Sequence, residues 1–239
     1  MLTRTCLLAL SLTTLSPAAL LRVEISERSD VLAGKSFGSA GPYERLIGKA
    51  YFAVDPANAA NRIIVDLDKA PRDEKGLVKF SADLYVLKPR DPAHGNHAVL
   101  FEVSNRGGKG MLGMYNRAAG SADPRTPEQL GDDFLLERGF TLVWLGWQFD
   151  VPQREGLMRL YAPVARDGDR PITGLVRSEL VLDRKQTSYS LADREHIPYP
   201  ALNPDDPKLT LTVRDWRDAS AGDGPHRFYK RGPSTGLQQ

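Results

Sequence analysis

Two apolar segments in the middle of the chain most constrain its fold. Residues 97–103 and 140–145 are nearly continuous apolar runs, as expected for strands that are covered on both faces. A glycine-rich turn at residues 105–110 follows the first run. A helical pattern then opens at Thr126 and Pro127 and ends before Gly139. Strand, turn, helix and strand predict a βαβ unit, and its crossover connection implies that the two strands are parallel.

Shorter β-type runs lie on both sides of this unit. Residues 50–54, 63–67 and 78–87 precede it, and residues 160–164, 172–182 and 209–213 follow it. Turn residues separate these runs, which is typical of antiparallel sheets. We therefore predict a mixed α/β fold class in five segments. They are a signal peptide (1–21), a β-rich N-terminal layer (22–96), the βαβ unit (97–156), a β-rich insertion or accessory region (157–218) and a loose tail (219–239).

The N-terminal segment resembles a cleaved secretory signal. Arg4 gives one early positive charge, an apolar run continues to Leu21, and small residues lie near its end at Ser16, Ala18 and Ala19. A short membrane anchor or a buried helix is the alternative, although the run is short and Pro17 interrupts it. We expect a secreted or periplasmic protein with no stable membrane span after cleavage. Its only cysteine, Cys6, lies in this segment, so the mature chain would have no disulfide.

The charge balance argues against a nucleic-acid partner. The chain has 32 Lys and Arg residues against 30 Asp and Glu residues, a net charge of +2. His94 and His97 are spaced as metal ligands could be, but the sequence offers no third ligand near them. We therefore predict no metal site and no cofactor.

Two stretches match the G-x-S-x-G pattern of a nucleophile elbow, namely GKSFG around Ser36 and GPSTG around Ser234. An elbow needs a buried strand before the serine and a helix after it. A polar stretch precedes the first match, and Gly41 and Pro42 follow it. The second match lies in a polar tail, with too few residues after it for a helix, an acid and a histidine. We interpret both matches as chance occurrences of the pattern and neither serine as a catalytic nucleophile.

The turn after the first apolar run is the strongest candidate for chemistry. Asn105, Arg106, Gly107 and Gly108 could present backbone amides to an anion, as an oxyanion loop does. The alternative is an ordinary tight turn. Trp144 and Trp147, at the end of the second run, could line a pocket or simply belong to the core.

Four blocks of sequence, in order, carry a resemblance to a known family. They are GPYERLIGKAYF at 41–52 with Asp55 and Pro56, DLDKAP at 66–71, FEVSNRGGK at 101–109 and ERGFTLVWLGWQ at 137–148. Over residues 23–218 the chain resembles the N-terminal part of a bacterial family of large, often exported α/β-hydrolase-domain proteins. The resemblance implies a partial α/β-hydrolase sheet with one βαβ unit, flanked by β-rich antiparallel segments. Residues 105–108 would occupy the oxyanion-loop position.

The resemblance also implies an ester- or acyl-hydrolysing serine enzyme whose triad lies further along a longer chain. This chain is expected to be truncated before the triad, with little or no triad-dependent activity. A small ester or acyl substrate is expected only if a downstream catalytic region completes the site. An incomplete sheet would leave residues 99–103 with unpaired edges and apolar faces, so we expect poor solubility or self-association.

Two other functions remain open. A secreted β-sandwich module could bind glycans through Trp144, Trp147 or Trp216. An active hydrolase could also use an unusual site around Ser104, Asn105 and His196.

Overall fold

The computed structural model describes residues 18–181, 189, 191 and 196–210. Contacts divide the chain into two compact units, one of residues 1–172 with 192–197 and one of residues 173–191 with 198–239. Every described strand and helix belongs to the first unit, and the described residues of the second contain neither. Across the described ranges, no helix has the length and apolar character that a membrane crossing requires.

The first unit is built mainly from strands joined by turns and short helices. Its strands are β1 (Ala18–Asp30), β2 (Tyr43–Val54), β3 (Val78–Pro89), β4 (Val99–Val103), β5 (Thr141–Leu145), β6 (Leu160–Tyr161), β7 (Arg166–Asp167) and β8 (Arg170–Pro171). Its α-helices are α1 (Met111–Asn116), α2 (Pro127–Leu130) and α3 (Phe134–Glu137).

Six of these strands form one mixed sheet in the order β1-β2-β3-β5-β4, with β6 paired to β3 beside β5. All pairs in it are antiparallel except β4 and β5, which run parallel. Strands β2 and β3 pair without a break from Tyr43 opposite Pro89 to Val54 opposite Val78. Strands β7 and β8 form a separate two-residue hairpin.

The hydrophobic core lies between one face of this sheet and the three helices. Leu87, Leu142 and Trp144 project from that face, and Leu130 and Leu136 come from the helices. All five side chains are fully buried. The Tyr43 hydroxyl donates to the carbonyl oxygens of Leu136 (3.0 Å) and Phe140 (2.9 Å), which fixes the last helix against β2. The helices are therefore held by packing and by hydrogen bonds from the sheet.

The structure confirms the parallel pairing of the two central apolar runs. It also begins a helix at Pro127, directly after Thr126. The single predicted helix is instead two short helices. Gly131 interrupts them at φ 79°, and a Cβ there would lie 1.9 Å from the Asn116 carbonyl oxygen. The chain must pass this close to α1, so only glycine fits and the helix ends.

The predicted fold class, a partial α/β-hydrolase sheet flanked by β-rich segments, is wrong. The sheet is mostly antiparallel, with one parallel pair and three helices of four to six residues. Strands β1 to β3 are not a separate layer, because they continue the same sheet into β5 and β4. No strand forms at residues 172–181, and residues 211–213 lie outside the described residues.

Two predicted segments cannot be compared with the structure in full. Of the predicted signal peptide, residues 1–17 lie outside the described residues and residues 18–21 lie in β1. The predicted tail, residues 219–239, also lies outside them.

Candidate functional site

The turn after β4 lies at the carboxyl end of the parallel pair of β4 and β5. Arg106 and Gly107 both have left-handed backbone conformations, with φ values of 55° and 76°. A Cβ on Gly107 would lie 2.8 Å from the Met158 carbonyl oxygen and from Val151 Cγ1. The Met158 amide donates to the Gly107 carbonyl oxygen at 3.1 Å. Glycine is thus required here because another segment packs directly on the turn.

Two of the four backbone amides of the predicted oxyanion residues have hydrogen-bond partners of different kinds. The Gly108 amide donates to the Asn105 carbonyl oxygen at 3.1 Å, which closes the turn on itself. The Arg106 amide instead donates to Gln148 Oε1 at 2.7 Å. A side chain can leave its partner without unfolding the turn. Of these two amides, the Arg106 amide is therefore the one that a ligand could take over by displacing a side chain.

An ion pair ties this turn to the segment after β5. The Arg106 guanidinium lies 2.7 Å from the Asp150 carboxylate, and both side chains are partly buried. The Asp150 carbonyl oxygen accepts the Ile197 amide at 3.0 Å, so residues 196–197 pack on the same segment. Arg106, Gln148, Asp150 and Ile197 form a continuous hydrogen-bonded group, which we call the strand-end cluster.

Two buried polar atoms beside this cluster lack hydrogen-bond partners. They are Ser104 Oγ, two residues before Arg106, and His196 Nδ1, one residue before Ile197. Buried polar atoms are normally satisfied, so these two are exceptions that require a reason. Among the described residues no hydrogen bond joins a serine to a histidine. The arrangement is not a formed Ser–His pair.

The two candidate tryptophans have different environments. Trp144 is fully buried, packs edge-to-face on Tyr85 and donates its indole N–H to Glu102. It belongs to the core and has no surface to offer a ligand. Trp147 is 53% exposed and donates its indole N–H to the Ser104 carbonyl oxygen at 2.5 Å. It therefore lies against the turn, where it could contact a ligand. Trp216 lies outside the described residues.

The elbow-like stretch around Ser36 forms a loop that is anchored by the buried side chain of Phe37. Phe37 is buried against Tyr43, edge-to-face at 5.4 Å, while Ser36 is exposed and forms a single bridge with Pro42. A 3₁₀ turn, Val31–Gly34, precedes it where an elbow would have a buried strand. Ser234 lies outside the described residues.

The two histidines that a metal site would use, His94 and His97, belong to no group of possible ligands among the described residues. Within the described ranges, no three His, Cys, Asp or Glu side chains are grouped so that they could hold a metal ion. His97 lines an open pocket of about 160 Å³ with Val99 and Thr141, the first residues of β4 and β5. This pocket is at the end of the strands opposite the strand-end cluster.

Lys109 is a buried charge that the sequence analysis did not single out. Its ammonium group donates to the carbonyl oxygens of Ala122 and Gly156 (2.7 Å for Gly156) and lies 4.4 Å from the centre of the Tyr85 ring. Burial lowers the pKa of Lys109 to about 8, against the opposing effect of Asp123 and Glu102. Gln148 and Asp150 were also missed, although they follow β5 directly and so had to lie near the end of β4.

No protein-family model, no curated protein and no solved structure matches this chain.

Proposed function

We propose that this chain is the oxyanion-side part of an exported ester- or acyl-hydrolysing serine enzyme, without triad-dependent activity of its own. The proposal rests on the resemblance of the four sequence blocks and on one structural observation. At a strand-end turn, the Arg106 amide is held by a side chain, that of Gln148, and not by the backbone of the turn. An oxyanion hole needs such an amide once the competing acceptor has left.

The surroundings of the turn fit this role chemically. The Arg106 side chain is paired with Asp150, so the turn is held in place while its charge is largely neutralised. A neutral ester could therefore approach without strong repulsion or attraction, and the amide would stabilise charge only as it develops. Trp147 offers an exposed ring beside the turn for the acyl or alcohol group.

The test compares Gln148→Ala with the unchanged chain in binding an alkylphosphonate, a tetrahedral anion that mimics an acyl-transfer intermediate. Gln148→Ala should bind about five-fold more tightly, because it no longer offers the Arg106 amide a competing hydrogen bond worth about 1 kcal/mol. Amide chemical shifts of residues 105–108, followed by NMR, report binding at this turn. Gln153→Ala, an exposed glutamine a few residues away, is the matched control.

A fluorophosphonate probe with peptide mapping completes the experiment. No serine of this chain should react under conditions where a control hydrolase is labelled. Labelling of Ser36 or Ser104 would show that the chain carries its own nucleophile and would overturn the proposal. Equal phosphonate binding by both forms, or shifts confined to other residues, would remove the turn as an oxyanion site.

A further inference from the structure

We propose that two copies of this chain pair through β4. The two β4 strands would run antiparallel about a two-fold axis at Phe101, so that both sheets join into one. This inference does not depend on the proposed function.

The free edge of β4 has none of the usual protection against such pairing. Within the described residues β4 pairs only with β5, and it ends the sheet. It contains no lysine, no proline and no bulge. Its one charged residue, Glu102, uses its carboxylate internally to accept the amides of Gly110 (2.9 Å) and Met111 (2.8 Å). Exposed edges normally carry such devices because an unpaired strand recruits another chain.

Strand β1, at the opposite edge of the same sheet, has features that protect it against pairing with another chain. Strand β1 has two register irregularities, between Leu20 and Arg22 and between Ile25 and Glu27. It also carries four charged residues before its last position, namely Arg22, Glu24, Glu27 and Arg28. The β1 edge therefore carries bulges and charges that oppose pairing with another chain, and the β4 edge does not. This contrast indicates that the β4 edge is covered in the working molecule.

The sequence of β4 favours a second copy as the partner. It reads Val-Leu-Phe-Glu-Val, and the alternate positions Val99, Phe101 and Val103 are the same in both directions. Antiparallel pairing about Phe101 would set Phe101 opposite its own equivalent and Val99 opposite Val103. Residues that face each other across such a pair lie on one side of the sheet. An interface about a two-fold axis must be self-complementary in this way.

These three side chains also leave apolar surface to be buried. Val99, Phe101 and Val103 are 63%, 51% and 58% exposed. With side-chain areas of the usual size, they expose roughly 250 Å² per copy, or about 500 Å² for a pair, and pairing at the strand edge covers only the flanks of these side chains. Even with the main-chain contacts added, the interface belongs with the small, transient ones rather than the obligate ones. The net charge of only +2 gives two copies little mutual repulsion. We therefore expect a dimer that forms and dissociates with concentration.

The first test measures the mass of the full chain by analytical ultracentrifugation over a range of concentrations. The unchanged chain should shift from monomer to dimer, and Phe101→Lys should raise the dissociation constant at least ten-fold. That substitution would set two like charges directly opposite each other at the two-fold axis. Ile63→Lys, at an apolar and almost fully exposed position in a loop outside the sheet, should leave the equilibrium unchanged.

The second test fixes the register and does not need Phe101→Lys to fold. In a Cys6→Ser background, Phe101→Cys places one thiol at the two-fold axis. Facing residues of an antiparallel pair have Cα atoms about 4.5–5.5 Å apart, which suits a disulfide. Phe101→Cys should form a cross-linked dimer much faster than Ile63→Cys. A monomer at all concentrations, a dimer unaffected by Phe101→Lys, or equal cross-linking of the two cysteine variants would each overturn the proposal.

Discussion

Lys109 shows how one buried residue sets the pH response of the folded chain. Its ammonium group is bound by two carbonyl oxygens and the face of the Tyr85 ring, and no carboxylate of the described residues forms an ion pair with it. Burial lowers its pKa to about 8, whereas an exposed lysine titrates near 10.5. Between these two values the unfolded chain holds a proton that the folded chain has released. The free energy of unfolding must therefore rise with pH in this window.

We predict that the free energy of unfolding rises by about 2 kcal/mol between pH 8 and pH 9.5. Urea denaturation at the two pH values measures it. Lys109→Met should remove most of this rise, while Lys75→Met, at an exposed lysine, should keep it. A slope that persists in Lys109→Met would show that another group is responsible. Measurements should stay below pH 10. Burial raises the pKa of Tyr43 and Tyr85, so above that pH the unfolded chain loses these protons first and the free energy of unfolding falls with pH.

At the scale of elements, Asn116 joins the short helices. It is fully buried at the end of α1, and its side-chain amide donates to the Leu130 carbonyl oxygen at 3.0 Å. Its Oδ1 accepts the Leu135 amide, also at 3.0 Å. One side chain thus caps the end of α2 and the start of α3. Helices of four residues have little stability of their own, so such links must hold them.

We predict that Asn116→Ala lowers the free energy of unfolding by about 3 kcal/mol, since it leaves a buried carbonyl and a buried amide without partners. Thermal and urea denaturation measure the loss. Asn58→Ala removes a comparable acceptor from the Ala60 amide in an exposed turn and should cost under about 1 kcal/mol. Similar losses in both variants would mean that Asn116 does not link the helices.

The elements were predictable where the local pattern and the tertiary contacts agree. The runs that became β4 and β5 are apolar and flanked by glycine, and both formed strands in the expected parallel pair. Residues 63–67 also read as a strand, but Ile63 and Val65 are almost fully exposed and Asp66 has a left-handed backbone. A short apolar run predicts a strand only if a partner strand lies beside it, which the sequence does not show. The helix break at Gly131 likewise depends on Asn116, fifteen residues away.

The position of the glycine-rich turn was predictable from the sequence, but its hydrogen-bond partners were not. The glycine-rich turn had to follow β4, and its residues were named from the sequence alone. The hydrogen bond from Arg106 to Gln148 joins residues 42 positions apart and exists only because β4 and β5 are adjacent. Spacing along the chain carries no trace of such a contact. The same reason explains why Lys109, surrounded by distant backbone carbonyls, was not recognised.

At the scale of the whole first unit, a network of partly buried ion pairs ties the sheet to the segment before α2. Asp123 accepts hydrogen bonds from Arg45 (2.9 Å), Tyr85 (3.0 Å) and Arg125 (2.6 Å). Arg45 in turn bridges to Glu27 on β1, so one network reaches from the sheet edge to the helical layer. Burial by itself would raise the pKa of Asp123. The hydrogen bond from Arg125, the charge of Arg45 and the Tyr85 hydroxyl together hold that pKa below its usual value.

A lowered carboxylate pKa means that stability is present above the pKa of the unfolded chain, near 4, and is lost as pH falls through the folded value. We predict that the thermal midpoint falls steeply between pH 4.5 and pH 3. Asp123→Asn should reduce stability by about 1–3 kcal/mol at pH 7 and flatten the acid slope, because the hydrogen-bonded charge is gone. Asp68→Asn, at an exposed aspartate, should leave both unchanged. Differential scanning calorimetry across this range measures both effects, and an unaltered slope in Asp123→Asn would assign acid unfolding to other carboxylates. Together with Lys109, this network should place the stability maximum of the fold on the alkaline side of neutrality.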